Sequence, residues 1–363
     1  MNVAQNHGGD EVLIRREGRA GRITMNRPAA LNALTHAMVG RIADALAIWR
    51  DDPDVGLVVL DGAGERALCA GGDVRALYDS RAQGSSLARA FWSQEYRLNA
   101  TIGRYPKPFV AIQDGIVMGG GIGLSGHARH RIVTERSRLA MPETGIGLIP
   151  DVGGTWLLGQ APGETGVYLG LTGEPMGAAD AIYAGFADAF VPSAKLPRLV
   201  ERLVDADGGP VEAAIAGLVE KPEGPPLAAR RADIDQVFGR PTVEAMLEVL
   251  AGAPGDWARK TATTLAQKSP KSLKLTLAAI RNARSLGSLE AALNVEYRLT
   301  VRLFEDGEFP EGVRALIVDK DRKPKWSPAR LAEVDRDLVA AYLAPLPPGE
   351  ELGLTPPAHS AAT

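Results

Sequence analysis

The first half of this chain alternates short apolar runs with glycine-rich corners, and this alternation constrains the fold more than any other feature. EVLIRREG and RITMNR, within residues 11–27, predict two strands joined by a turn, and LVVL at 57–60 predicts a buried strand. Apolar residues at helical spacing predict a helix from Thr35 and another around 86–102. Strands that alternate with helices are typical of an α/β core, which we expect to end near residue 190.

Beyond residue 190 the pattern becomes helical. Residues 195–345 contain amphipathic stretches such as PRLVERLVDA and SLKLTLAAIRNA, which predict a mainly helical C-terminal region. Residues 346–363 are rich in proline and small residues and predict a flexible tail. The predicted organisation is therefore a core over 11–190, a helical region over 195–345 and a tail.

Composition makes several classes of function improbable. A formal net charge of −3 gives no reason to expect a nucleic-acid partner, and no apolar run approaches the ~20 residues that cross a bilayer. The single cysteine, Cys69, excludes an internal disulfide, and without an HExxH pattern we expect no metal site. The N-terminus has neither a signal peptide nor the features of a transit peptide, which predicts a cytosolic protein.

Two short motifs in the middle of the chain suggest chemistry that their context does not support. GIGLSG (121–126) matches a dinucleotide-binding pattern, but the following HARHRIV predicts a strand where that motif needs a helix. Ser125 lies near His127, His130 and Asp151, but it lacks the G-x-S-x-G elbow of a nucleophilic serine. We therefore interpret both as accidental.

Three segments taken together are more specific: ALCAGGDVR (67–75), MGGGIGLSG (118–126) and MPETGIGLIPDVGG (141–154). In this order they resemble the crotonase, or enoyl-CoA hydratase/isomerase, superfamily, in which two glycine-rich turns supply backbone N–H groups to a thioester oxygen. NRPAALNAL (26–34) resembles that family's coenzyme A-binding stretch. The resemblance implies an α/β spiral of β-β-α turns followed by a helical C-terminal region.

The same resemblance assigns the backbone groups of the site. The amides of Gly72 and Gly120 would hold the thioester oxygen, while the Ala70 carbonyl and Arg75 would lie near the adenine and phosphate end of coenzyme A. A thioester carbonyl becomes an oxyanion or enolate during reaction, and each fixed amide can lower the barrier by about 2.7–4 kcal/mol. Glycine lets the backbone approach the substrate closely.

The carboxylates distinguish hydratases from hydrolases in this family. Hydratases use two glutamates, and the first falls at Gly123 here, while the second is present as Glu143. Asp151 stands where hydratases usually have glycine. These differences resemble the 3-hydroxyisobutyryl-CoA hydrolases, as do FWSQEYRLN (91–99), SPKSLKLTL, VEYRLT and FPEGVRALIVDKDRKPKW (309–326).

The resemblance therefore implies hydrolysis of a short branched 3-hydroxyacyl-CoA in valine breakdown. Glu143 would act as nucleophile or general base, and Asp151 would hold the 3-hydroxyl or assist proton transfer. Glu95, on an apolar helix face, would contact the substrate, or form a salt bridge to an arginine such as Arg104. No metal or cofactor beyond the substrate's coenzyme A is expected, and a homo-oligomer stays open. The alternatives are an enoyl-CoA hydratase/isomerase and a non-catalytic acyl-CoA-binding protein.

Overall fold

The strands of the N-terminal part form two sheets. The computed structural model of the protein describes residues 10–84, 86–205, 209–224 and 226–356. Its strands are β1 Val12–Glu17, β2 Ala20–Met25, β3 Leu57–Gly62, β4 Ala67–Cys69, β5 Phe109–Gln113, β6 Ile116–Met118, β7 His130–Val133, β8 Arg138–Ala140 and β9 Ala189–Phe190.

The larger sheet has the strand order β1-β2-β3-β5-β7-β9. β1 and β2 form the predicted antiparallel hairpin, which turns at Gly18, and the later strands of this sheet pair in parallel. The smaller sheet, β4-β6-β8, is also parallel. β3, β5 and β7 are each followed directly by a strand of the smaller sheet, so the chain winds as repeated β-β-α units. The predicted α/β spiral is confirmed.

Helices cover the sheets and make up most of the C-terminal half. The N-terminal helices are α1 His36–Asp51, α2 Val74–Ala82, α3 Leu87–Gly103, α4 Gly120–Ser125, α5 Gly154–Gln160, α6 Thr165–Thr172 and α7 Ala178–Tyr183. The C-terminal helices are α8 Leu196–Val204, α9 Val211–Ala216, α10 Pro226–Ala229, α11 Arg231–Phe238, α12 Val243–Gly252, α13 Asp256–Ala266, α14 Pro270–Ala283, α15 Leu289–Glu305, α16 Glu308–Val313 and α17 Arg336–Leu343. Single 3-10 turns occur at Pro28–Ala30, Glu143–Ile146, Ser193–Lys195 and Leu331–Glu333, and a π turn at Arg314–Val318.

Local sequence explains where the longer helices begin. Thr35, Ser269 and Ser288 cap α1, α14 and α15, because each side-chain oxygen accepts a hydrogen bond from the N–H three residues later. The predicted apolar stripe of α1 is buried throughout: Met38, Ile42, Ala45, Leu46 and Trp49. The stripe packs α1 into the hydrophobic core, as its helical spacing requires.

The two glycine-rich segments that meet at the site contain regular structure. Residues 67–75 include β4 at one end and the start of α2 at the other, with a short loop between them. The corner 118–126 was expected to be a turn, but most of it is the helix α4. Within this corner only Gly119 has a positive φ, at +47°, a backbone conformation that favours glycine. The helix α4 begins at the next residue.

The C-terminal end of the described chain is packed against the helices. Leu346 and Leu352 are buried, and the backbone N–H and carbonyl of Leu354 both bond the side-chain amide of Asn294. The flexible tail predicted from residue 346 is therefore wrong for residues 346–356, and its remainder, 357–363, lies outside the described residues. One hydrophobic core includes residues of both predicted parts, and the boundary near 190 stays a prediction. No helix of the described ranges is long and apolar enough to cross a membrane.

Candidate active site

The two glycine corners of the sequence meet at the ends of two neighbouring strands. β4 and β6 pair in parallel, so their carboxyl ends lie together. A Cβ built on Gly120 would lie 3.4 Å from the Gly72 nitrogen, and one built on Gly119 would lie 3.6 Å from the Gly71 Cα. The structure thus brings together the two amides that the sequence predicted to converge.

Neither amide has a backbone acceptor among the described residues. Gly120 is the first residue of α4, where an N–H has no carbonyl one turn earlier to bond. Near Gly72, the Leu34 amide donates to the Gly71 carbonyl and the Asp73 amide donates to the Leu34 carbonyl, each at 2.9 Å. The Gly72 N–H between them has no backbone acceptor in the described ranges. Two free N–H groups side by side form a site for a developing negative charge on oxygen.

Glu143 lies against this corner. It opens the 3-10 turn Glu143–Ile146 and is only 5% exposed. Its Oε1 lies 3.1 Å from the position of a Cβ on Gly119, and its Oε2 has no hydrogen-bond partner within the described chain. Burial, and then the charge of Asp151, raise the pKa of Glu143 well above its usual range. A carboxyl group with a raised pKa and a free oxygen is suited to work as a base.

Asp151 is buried nearby and bonded to a residue that the sequence did not single out. The Tyr96 hydroxyl donates to Asp151 Oδ2 at 2.6 Å and also bonds the Thr300 hydroxyl at 2.9 Å. Burial raises the pKa of Asp151 to about 6, although the Tyr96 hydrogen bond opposes the shift. Tyr96 immediately follows Glu95 in FWSQEYRLN, and that adjacency was the signal available for it.

The turn after Asp151 is held in an unusual backbone conformation. Val152 has φ +53°, a region that a β-branched residue rarely adopts. The His127 ring lies with Nε2 2.8 Å from the Val152 carbonyl; burial lowers the pKa of His127 to about 4, so the neutral ring donates from Nε2. Glu296 accepts from the Gly153 amide at 2.7 Å and the Thr155 amide at 2.9 Å, and also from the Thr155 hydroxyl. We infer that His127 and Glu296 position Asp151 through this turn.

Glu95 is the third buried acid of the site. It is 2% exposed, its Oε1 has no partner within the described ranges, and that oxygen lies 2.6 Å from the position of a Cβ on Gly120. The alternative salt bridge to Arg104 is not formed, because Arg104 pairs with Glu290 at 3.0 Å. Burial, and then the charge of Asp151, raise the pKa of Glu95 well above its usual range.

Glu95→Gln is expected to stabilise the fold at pH 8, by about 1–3 kcal/mol of unfolding free energy. The pKa of Glu95 is raised in the folded state, so its ionisation in the unfolded chain favours unfolding increasingly as pH rises above the ordinary glutamate pKa. The gain should therefore grow from pH 5 to pH 8 and vanish at lower pH in thermal unfolding. The control is Glu296→Gln, which replaces one carboxylate oxygen by an NH2 group facing the Gly153 or Thr155 N–H and should destabilise. A lower melting temperature of the Glu95 variant at pH 8 would contradict the assignment of an unpaired buried acid.

Position 123 is closed to any side chain. A Cβ on Gly123 would lie 2.7 Å from the Val152 Cβ and 2.8 Å from the Asn99 Nδ2, closer than real Cβ contacts. A glutamate at position 123, where hydratases have the first acid of their pair, therefore does not fit the packing of this fold. α4 and the Asp151 turn pack together where that glutamate would begin.

The residues predicted to bind coenzyme A lie beside the same corner. The Ala70 amide bonds the Leu31 carbonyl at 3.0 Å, which joins the segment 26–34 to the end of β4. Arg75, in the first turn of α2, is exposed and paired with Asp79 at 3.0 Å. A phosphate would have to compete with Asp79 for Arg75, and the role of both residues stays a prediction.

Comparison with known proteins places the chain in a family. The model of the enoyl-CoA hydratase/isomerase family matches residues 20–343. A protein of Xenopus tropicalis named 3-hydroxyisobutyryl-CoA hydrolase, mitochondrial, is 42% identical over 345 residues, which are 93% of this chain and 89% of the frog protein.

Two solved structures are similar over nearly the whole chain. One, titled as a carnitinyl-CoA dehydratase from Mycobacterium thermoresistibile, has 48% identity and a TM-score of 0.90, over 95% of this chain and 98% of its own. The other, titled as an enoyl-CoA hydratase from Rhodobacter sphaeroides 2.4.1, has 45% identity and a TM-score of 0.89, over 95% of this chain and 100% of its own.

The comparison corrects one prediction and confirms another. The frog protein and its zebrafish and human counterparts are all named mitochondrial, which contradicts the cytosolic location predicted from the N-terminus. The resemblance that rested on three glycine-rich segments is confirmed by a match over most of the chain. This protein belongs to the enoyl-CoA hydratase/isomerase family.

Proposed function

We propose that this protein hydrolyses a short branched 3-hydroxyacyl-CoA thioester, 3-hydroxyisobutyryl-CoA, to the free acid and coenzyme A. The main support within the structure is position 123, where Val152 and Asn99 leave no room for the first glutamate of a hydratase. Glu143, the acid that remains, lies buried against the glycine corner with a free oxygen. The names of the vertebrate relatives point to the same reaction. With this substrate the protein would act in valine breakdown.

In the proposed reaction the Gly72 and Gly120 amides hold the thioester oxygen as it gains negative charge. Glu143 either removes a proton from a water that attacks the carbonyl carbon, or attacks that carbon itself. The first route breaks the carbon–sulfur bond after water adds. The second releases coenzyme A as a mixed anhydride forms on Glu143, and water then cleaves the anhydride. Asp151 assists the proton transfers or holds the 3-hydroxyl, and Glu95 orients the acyl group or the water.

Hydration is the competing reaction, since the two solved structures described above carry hydratase or dehydratase titles. Purified protein should release free thiol from 3-hydroxyisobutyryl-CoA and should not hydrate crotonyl-CoA. Consumption of crotonyl-CoA without thiol release would identify a hydratase. Binding of both thioesters without turnover of either would identify a non-catalytic binding protein. Either outcome would reject the proposed hydrolase.

A further inference from the structure

Asn99 is a buried amide whose hydrogen-bonding groups the fold leaves unused. The residue lies on α3 and is 0% exposed. Neither Nδ2 nor Oδ1 has a hydrogen-bond partner anywhere in the described ranges. Buried polar groups are nearly always hydrogen-bonded in folded proteins, so two unpartnered atoms on one side chain make Asn99 a candidate to bind a ligand.

The amide lies where three elements of the site meet. Glu95 and Asn99 are four residues apart on α3 and so share one face of that helix. Gly120 and Gly123 lie opposite them on α4. Glu95 Oε1 lies 2.6 Å from the position that a Cβ would take on Gly120, and Asn99 Nδ2 lies 2.8 Å from the position that a Cβ would take on Gly123. The third element is the Asp151 turn, whose Val152 side chain approaches the same point on Gly123 to 2.7 Å.

The charges around Asn99 restrict what it can bind. Glu95 on the same helix face and Asp151 beside Val152 are both buried acids. Glu143 is a third, and it lies beside Gly119, just before the start of α4. Asp151, whose pKa is about 6, is ionised near neutral pH, and its charge would repel a further anion at this buried position. An amide offers two donors and an acceptor, which suits a neutral hydroxyl because a hydroxyl can donate and accept at once.

We propose that Asn99 is a specificity-determining residue that hydrogen-bonds the 3-hydroxyl group of the acyl chain. The inference rests on the proposed function, which supplies a substrate with that hydroxyl. Gly120 and Gly123 are three residues apart on α4, about 4.5 Å along the axis. On this proposal the thioester oxygen is bound at the Gly120 amide, and the hydroxyl on the third carbon extends from there to the Asn99 amide.

The experiment compares two thioesters that differ only in this hydroxyl, 3-hydroxyisobutyryl-CoA and isobutyryl-CoA. The ratio of their kcat/KM values for thiol release is measured in the wild type and in Asn99→Leu, which keeps the branched shape of the side chain and removes the polar atoms. We expect the ratio to fall about tenfold or more in the variant, the usual effect of one buried hydrogen bond. The loss should come from the hydroxylated substrate, with isobutyryl-CoA changed less than about threefold.

Thr276→Val is the matched control. Thr276 is also fully buried and its Oγ1 also lacks a partner in the described chain, but the residue lies on α14 and packs against Gly170 on α6. This variant should keep the wild-type ratio. If Asn99→Leu does not fold, as judged by thermal unfolding, Asn99→Ala is measured in the same way.

Two outcomes would overturn the role of Asn99. An equal loss on both thioesters would mean that it shapes the site or holds a water, and an unchanged ratio would mean that it does not meet the hydroxyl. Failure of the wild type to release thiol would instead contradict the proposed function. In that case the ratio of the two dissociation constants, measured by calorimetry in wild type and variant, still decides whether Asn99 recognises the hydroxyl.

Discussion

Glu143→Gln is expected to lower kcat for thiol release by about 10²–10⁴-fold, because an amide can neither accept the proton of water nor attack the thioester. The substitution keeps the shape of the side chain, so the thermal unfolding of the variant should be no worse than that of the wild type. The control is Glu248→Gln, which changes an exposed acid on α12 and should leave the rate unchanged. A Glu143 variant that folds and retains most of the activity would contradict the proposed mechanism.

The pH dependence of kcat/KM should report the same group. Glu143 must be ionised to act, and burial raises its pKa, so the rate should rise with pH at values above the ordinary range of a glutamate. The charge of Asp151 raises this pKa further and that of Lys268 lowers it. Asp151→Asn should therefore move the acid limb of the profile to lower pH. An acid limb that stays at the same pH would show that the charge of Asp151 does not act on Glu143.

Gly123→Glu is expected to prevent folding rather than to create a hydratase. Already with Gly123→Ala, the new Cβ would meet the Val152 Cβ at 2.7 Å, and overpacking of this kind costs about 1–3 kcal/mol. Val152 cannot easily move away, because His127 binds its carbonyl and Glu296 binds the next amide. The longer glutamate should leave little soluble enzyme.

Gly40→Ala is the control for this prediction. Gly40 is also a helical glycine, within α1, but a Cβ there would meet nothing within 4 Å. Alanine should stabilise that position by about 0.5–1 kcal/mol, since it has the higher helix propensity. Chemical denaturation of the two alanine variants measures both effects. Equal stability changes would show that position 123 is not closed, and crotonyl-CoA hydration by Gly123→Glu would remove the main structural support for the hydrolase.

Periodicity in the sequence predicted the α/β core because each element obeys its own local rule. The hairpin, the α1 stripe and the buried strand at 57–60 follow from spacing alone. Spacing failed where glycine is common: α4 consists largely of small residues that pack closely in a helix, and composition gives no warning of this. It also failed at 346–356, where hydrogen bonds to distant helices, invisible in local composition, hold a proline-rich segment in place.

The site was predicted in part for a similar reason. Glu143, Asp151 and the two glycines belong to distinctive segments, and the structure brings them together. Tyr96, His127 and Glu296 contact Asp151 or its turn from elements far along the chain, so no local pattern pairs them with it. Asn99 became visible only when burial showed that its amide had no partner.

The packed segment 346–356 has a consequence for the order of assembly during synthesis. It binds Arg97 on α3 through the Leu352 carbonyl and Arg298 on α15 through Glu351, and so fastens the two helices that contain Glu95 and Glu296. Both helices are synthesised before residues 346–356. During synthesis α3 and α15 can therefore pack against each other first, and the bonds from residues 346–356 are added to helices that are already in place.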